Sequence, residues 1–286
     1  MHKNCTYHHF SITDRIMKVI NSILLLLSNL TLFLMSLSAA PQDNWYLDEY
    51  KTFGHAWGMR HPIAIAHGTQ GRTFVVEYDK DRVQFRDANQ SIINLKGCGE
   101  NPRGVTYADG KVYVVSEDSE RVYVFNETGQ SLFTFGSDGT GNGQFKDPYG
   151  IASGYDGNDL EIFVTDPTSD RITVFDENGT YKRKFWSVDG NPRGIVADDN
   201  GSVYVSDSYD RINVFNKAGT LLRSITGVSG DPWGLSIHGT RLAVGNSNGS
   251  HDYVRIYDLN GTFIKQFGTD GSGDGQFKQP YGVAYD

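Results

Sequence analysis

Cysteine is almost missing from this chain: two in 286 residues, Cys5 and Cys98. They fall on opposite sides of one long apolar run, so the part after that run cannot form an internal disulfide. Cys98 sits between two glycines, with no neighbour of the kind that lowers a thiol pKa, and reads as a small structural residue. Metal-ligand spacing is also missing. The five histidines beyond residue 48, His55, His61, His67, His238 and His251, are scattered, so no metal or other cofactor is assigned. There is no Ser/His/Asp set, no phosphate-cradling glycine loop and no pair of carboxylates at an assignable site, which leaves no catalytic residue to name. There is no run of lysine and arginine either. The net charge is −8, and residues 1–40 contribute three bases against one acid. Residues 41–286 are therefore more acidic than the whole chain and repel phosphate backbones, which argues against a nucleic-acid partner.

Long hydrophobic runs are limited to one. Residues 1–18 carry Lys3, Arg15 and Lys18 against Asp14, and residues 19–40 carry no charge at all. Twenty-two such residues are long enough to span a bilayer as a helix. The bases before them keep residues 1–18 cytoplasmic and send the remainder across. Ser38 and Ala40 suit a signal-peptidase site, although Pro41 hinders cleavage there. Residues 19–40 are thus a signal peptide or a transmembrane anchor, and either reading places the rest outside the cytosol, secreted or membrane-anchored. Residues 41–48 form a polar linker.

Glycine is abundant, with 33 residues, and it recurs in a pattern. A proline recurs at 62, 102, 148, 192, 232 and 280, and from Pro102 onward each reads Pro-x-Gly. The first five each lead into further short β-rich runs, such as VYVV at 112–115, RVYVFN at 121–126 and SLFTF at 131–135. Runs of four to six residues separated by Asn-Gly, Asp-Gly and similar turns predict four antiparallel strands per repeat. Repetition every forty-odd residues is the pattern of a propeller blade.

The Pro-x-Gly opening, the RITVFD-like third strand (171–176) and the closing Phe-Gly together resemble the NHL repeat. The resemblance spans residues 49–286 and rests on several copies. It implies an all-β, NHL-type β-propeller, six-bladed as a rule. Five four-stranded blades are complete here, a sixth begins at Pro280, and one hydrophobic helix precedes them. Residues 49–54, EYKTFG, read like a stray fourth strand that would complete the last blade. The expectation is a gap or a distorted closure between 279–286 and 49–54, as in a fragment of a six-bladed ring.

In such a propeller the first strand lines the channel, and the residue between Pro and Gly stands near one mouth. That column reads Ile63, Arg103, Tyr149, Arg193, Trp233 and Tyr281. Arginine with rigid aromatics suits a ligand-binding mouth; the same side chains equally suit a seal packed between blade edges. The leading functional expectation is a non-enzymatic module binding a protein, peptide or carbohydrate. The alternative is a channel-centred metal-dependent lyase or hydrolase, as in NHL-containing peptidyl-hydroxyglycine lyases, which hold zinc with three histidines. The corresponding places here, Val164-Thr165-Asp166 and Val205-Ser206-Asp207, carry none. Convergence of His67, His238 and Asp198 would favour the enzyme.

Three further patterns have structural readings. Asp138–Gly143 and Asp270–Gly275 imitate the start of a calcium loop but lack its final glutamate, and read as turns. Arg82, Arg121, Arg171 and Arg211 come shortly after the acids Glu77, Glu117, Asp166 and Asp207; a basic patch is one reading, and the repetition favours an arginine that ties the hairpin to a neighbouring acid or carbonyl. Asn-x-Ser/Thr occurs at Asn89, Asn126, Asn178, Asn200, Asn248 and Asn260 and makes glycosylation chemically accessible, although Asn-Gly turns produce the same pattern.

Overall fold

The computed structural model describes residues 59–187, 190–228 and 230–285, together with two short stretches of backbone at 33–34 and 51–52. Five four-stranded antiparallel sheets succeed one another in strict sequence order. Their first strands are Pro62–His67, Pro102–Ala108, Ile151–Asp156, Pro192–Ala197 and Pro232–His238. These five inner strands surround a central channel. The chain is a β-propeller with five complete blades.

Burial explains the strand sequences. Second and third strands are covered on both faces, as in Thr73–Glu77 and Arg171–Asp176, so they read as continuous apolar runs. The outer strands, Ile92–Gly97, Ser131–Phe135, Tyr181–Trp186, Leu221–Thr226 and Phe263–Phe267, are covered on one side only and are largely exposed. The core lies between blades. Phe175 of blade three packs on Phe135 of blade two with ring centroids 4.8 Å apart, and Phe215 of blade four packs on Phe185 of blade three at 5.2 Å. Truncating one such ring to alanine costs about 3–5 kcal/mol.

The outer hairpin of each blade turns on an Asn or Asp whose side chain caps the turn. Asp176 Oδ1 accepts the Asn178 and Thr180 amides at 2.9 and 2.8 Å, and Asp258 Oδ1 accepts those of Asn260 and Thr262. Asn126 fills that capping role itself. The other five glycosylation-motif asparagines are exposed.

The chain's ends modify the expected closure. Within the segment expected to be helical, Phe33–Leu34 are extended and pair antiparallel with Lys51–Thr52. Lys51–Thr52 therefore have that partner, and among the described residues no ladder joins them to residues 279–285. The rest of residues 1–58 lies outside the described residues. Among the described residues no helix is long and apolar enough to cross a membrane. Residues 280–285 lie between blades five and one. Val283 packs with Val254 and Phe267 of blade five, and Ala284 packs with Ile65 and Val75 of blade one.

Candidate functional site

The mouth of the channel is built by a repeated irregularity. In blades one, two, four and five the pairing of inner and second strands slips just after the proline, for example between Pro192↔Asp207 and Ile195↔Val205. A bulge of this kind re-aims a side chain, and it falls at the Pro-x-Gly residues. The glycine is needed because the next blade is too close for a side chain. A Cβ on Gly194 would stand 1.7 Å from the Trp233 carbonyl oxygen. Blades two to five thus each rest, at this glycine, on the backbone of the next mouth residue.

A second device fixes the residue before the proline. Asp81, Asp170 and Asp210 adopt positive φ immediately before the third-strand arginines. Their Oδ1 atoms accept the amides of Asn101, Asn191 and Asp231, each the residue preceding the next blade's proline, at 2.9–3.0 Å. Short polar residues tolerate this left-handed geometry. Arg103, Arg193 and Trp233 are therefore set both by the blade before them and by the segment after them.

Ile63, Arg103, Tyr149, Trp233 and Tyr281 line one mouth, and Arg193 joins four of them in one chain of contacts. Arg103 lies 4.3 Å from the Tyr78 ring centroid and 4.9 Å from that of Tyr149. Tyr149 meets Trp233 at 5.5 Å, and Trp233 meets Tyr281 edge-on at 5.0 Å. Arg193 lies 4.0 Å over the Trp233 ring. Ile63 is buried beside them. Both arginines are neutralised: Arg103 Nε donates to Glu117 Oε2 at 2.5 Å, and Arg193 is bonded to Asp231. Trp233 Nε1 donates to the Ser247 carbonyl at 3.1 Å.

Burial governs the titration of this cluster. Burial pushes the Tyr149 phenol up, only partly opposed by Arg103. It raises Tyr281 as well. Burial also raises Glu117, more than the Arg103 bond lowers it, and Asp147 adds to the rise. For Arg103 burial works against the charge, but Glu117, Tyr149 and Tyr78 together hold its pKa above the usual arginine value. Below the mouth Ile65, Val105, Ile151, Ile195, Leu235 and Val283 line the channel. Its cavity is about 80 Å³, room for about five to eight waters at roughly 10–15 Å³ each.

The far rim differs. Inner strands run from mouth to far rim, so His67 and His238, at the ends of Pro62–His67 and Pro232–His238, lie away from the arginines. His238 faces the Tyr285 ring at 5.8 Å. Asp198 is committed to its own turn through the Asn200 and Ser202 amides. Among the described residues no three His, Cys, Asp or Glu side chains gather as a metal site.

The repeated Arg–acid tie forms in three blades: Arg82 with Glu77 at 2.5 Å, Arg171 with Asp166 at 3.2 Å and Arg211 with Asp207 at 2.8 Å. Blade two corrects the expectation. There Ser116 occupies the acid's place opposite proline, and Glu117 reaches Arg103. Tyr78 and Glu117 are mouth residues that the Pro-x-Gly column does not contain. Both come directly after a second strand, so aligning that position across blades would have found them. Asp138 is paired to Lys146 at 2.8 Å, and its loop is held by Arg171, as a turn. Cys98 is fully buried, and burial raises its thiol pKa.

The sequence matches no known family profile and no curated protein. Solved structures do match in fold. The Neurospora crassa Pan2 WD40 domain superposes with a TM-score of 0.57 at 15% identity, over 74% of this chain and 66% of that one. The chain thus spans just under two thirds of that domain. A catalytically inactive virginiamycin B lyase from Staphylococcus aureus, solved with quinupristin, gives 0.56 at 14%, over 71% and 68%. A Bacteroides caccae protein of unknown function gives 0.60 at 12%, over 78% and 85%. Identities this low establish the propeller fold and carry no activity with them.

Proposed function

We propose that this protein is an NHL-type propeller that binds a protein, peptide or carbohydrate on its Arg–aromatic mouth and performs no chemistry there. The observation that carries this reading is the state of the two arginines. Each is ion-paired and stacked, so the mouth offers aromatic faces and guanidinium edges on a fixed frame. Binding hot spots are built in this way. The lyase-or-hydrolase reading ranks behind it because His67, His238 and Asp198 stay at the far rim.

The repeat and the position of 280–285 support a ring of six places, with Pro280 opening the sixth. The charge-free segment 19–40 supports export, as a secreted or membrane-anchored protein. The exposed motif asparagines then suit glycosylation. The test is a screen of the domain against peptide and glycan arrays, repeated with Trp233→Ala. Retained folding with at least about tenfold weaker binding is expected, as for a hot-spot aromatic. Hits unchanged by Trp233→Ala and by Arg193→Ala would place the site elsewhere.

A further inference from the structure

Blade five departs from the others where its second strand passes to its third. That connection is three or four residues long in blades one to four, and six in blade five, between Arg241–Asn246 and Tyr253–Asp258. The Arg–acid pair is replaced as well. Asn246 takes the acid's place and Tyr253, opposite it, takes the arginine's. The connection, Ser247-Asn248-Gly249-Ser250-His251-Asp252, is held by its own side chains instead. Asn248 to His251 are exposed, and Asp252 is buried.

Two sets of contacts converge on one Asn-Gly bond. Ser250 N donates to Asn248 Oδ1 at 3.1 Å. A backbone amide can only donate, so this contact fixes the accepting atom as the oxygen. Ser250 Oγ and His251 Nδ1 also stand 3.1 Å from that oxygen. Both are donors there, which puts the histidine's proton on Nδ1. Three donors thus polarise the Asn248 side-chain carbonyl. On the other side of the bond, Gly249 N donates to Asp252 Oδ1 at 3.3 Å. A Cβ on Gly249 would meet nothing within 4 Å, so the backbone is open there.

Four other Asn-Gly pairs, at Asn142, Asn178, Asn200 and Asn260, lack this arrangement. In three of them the glycine amide donates to a backbone carbonyl, Gly179 to Asp176, Gly201 to Asp198 and Gly261 to Asp258, at 3.0–3.1 Å. A peptide carbonyl does not take up a proton at neutral pH. Among the described residues none donates to the side-chain oxygen of any of the four asparagines.

We propose that Asn248-Gly249 is a self-modifying site, at which the chain closes a succinimide ring and loses ammonia. Asp252 takes the Gly249 amide proton as that nitrogen attacks Asn248 Cγ. The charge that develops on Asn248 Oδ1 is received by the Ser250 amide, the Ser250 hydroxyl and His251 Nδ1–H. The Cγ–Nδ2 bond then breaks, and Nδ2 leaves as ammonia with the proton that Asp252 held. Water opens the ring at Cγ to give aspartate, or at the Asn248 backbone carbonyl to give isoaspartate. Either product puts a new carboxylate next to Ser247, whose carbonyl holds Trp233 Nε1. The change therefore falls at the edge of the mouth.

The test follows the full chain, made in a host that adds no glycans, by peptide mapping over days at neutral pH. Amide loss at Asn248 should run at least about tenfold faster than at the other four pairs, because positioned acid–base groups accelerate a proton-transfer step by about a hundredfold or more. Hydroxylamine, which intercepts a succinimide, should cut the chain between residues 248 and 249. Ser250→Ala combined with His251→Ala should slow the loss about tenfold, and Asp252→Asn should slow it as well. Asp252 also accepts Gln279 N at 2.9 Å, so the exposed Ser250 and His251 pair is the deciding variant. These changes loosen the loop, and a reaction that needed only a mobile Asn-Gly would keep its rate or quicken. In the urea-unfolded chain the five pairs should react alike, and Asn248 more slowly than in the folded protein. An Asn248 rate equal to that of the other pairs, unchanged or raised in the double variant, or raised by unfolding, overturns the proposal, as does a chain that hydroxylamine leaves intact at that bond.

Discussion

The two ends of the channel are held together by different means. On the mouth side, charges are paired within a blade or with the adjoining linker: Arg82–Glu77, Arg103–Glu117, Arg211–Asp207 and Arg193–Asp231. On the far side they cross blade junctions. Arg72 of blade one holds Glu127 of blade two at 2.5 Å, and Lys111 of blade two holds Glu177 of blade three at 2.6 Å. Arg183 holds Glu161 within blade three and also reaches the Lys217 carbonyl of blade four. At the mouth the blades meet through inner-strand backbone and through Asp81, Asp170 and Asp210, while Arg103, Tyr149, Arg193, Trp233 and Tyr281 form a single surface.

The sharpest break of this contrast is Gly194→Ala. The methyl collides with the Trp233 carbonyl, and rigid backbone cannot yield, so a loss of about 3 kcal/mol or more is expected in denaturant melts. Gly157, in the far-side turn of blade three, has φ +66 with nothing within 4 Å. Gly157→Ala should cost only about 1–2 kcal/mol, the strain of left-handed backbone. Equal losses would mean that the blades are not in backbone contact at the mouth.

Next is Glu161, fully buried and bonded to Lys182 and Arg183 at 2.6 Å. Burial alone would raise its pKa, but the two cations outweigh that and lower it. Its stabilising contribution is therefore present above the unfolded value, about 4.3, and is lost as pH falls through the lower folded value. Glu161→Gln should cost about 2 kcal/mol at pH 7 and flatten the acid limb of the stability curve. Glu117 at the mouth has the opposite sign. Its raised folded pKa means that stability grows as pH falls through that value, so Glu117→Gln should remove a gain on mild acidification. Matching pH profiles for the two variants would erase the distinction. The smallest effect belongs to Lys217→Ala. Its pair with Asp156 is half exposed on both sides, and the change in melting temperature should stay within experimental error.

The repeat made most of this legible. Six prolines and their spacing placed every inner segment, and the mouth column Arg103, Tyr149, Arg193, Trp233 and Tyr281 came directly from that spacing. The partner of each arginine did not. Arg103 finds Glu117 because blade two carries Ser116 where the other blades' ties have an acid, a one-residue offset that periodicity does not encode. Tyr78 lies outside the Pro-x-Gly column, in a second-to-third-strand connection, and only an alignment of that position across blades would have singled it out. The reason for the glycines lies between blades, at distances that no local pattern contains.

The most direct test of the mouth as a binding face is fluorescence from Trp233 alone, with Trp45, Trp57 and Trp186 changed to phenylalanine. Titration with the tightest array hit should shift or quench the emission along the same saturation curve as binding measured by calorimetry. Saturable binding that leaves the Trp233 emission unchanged would contradict the account.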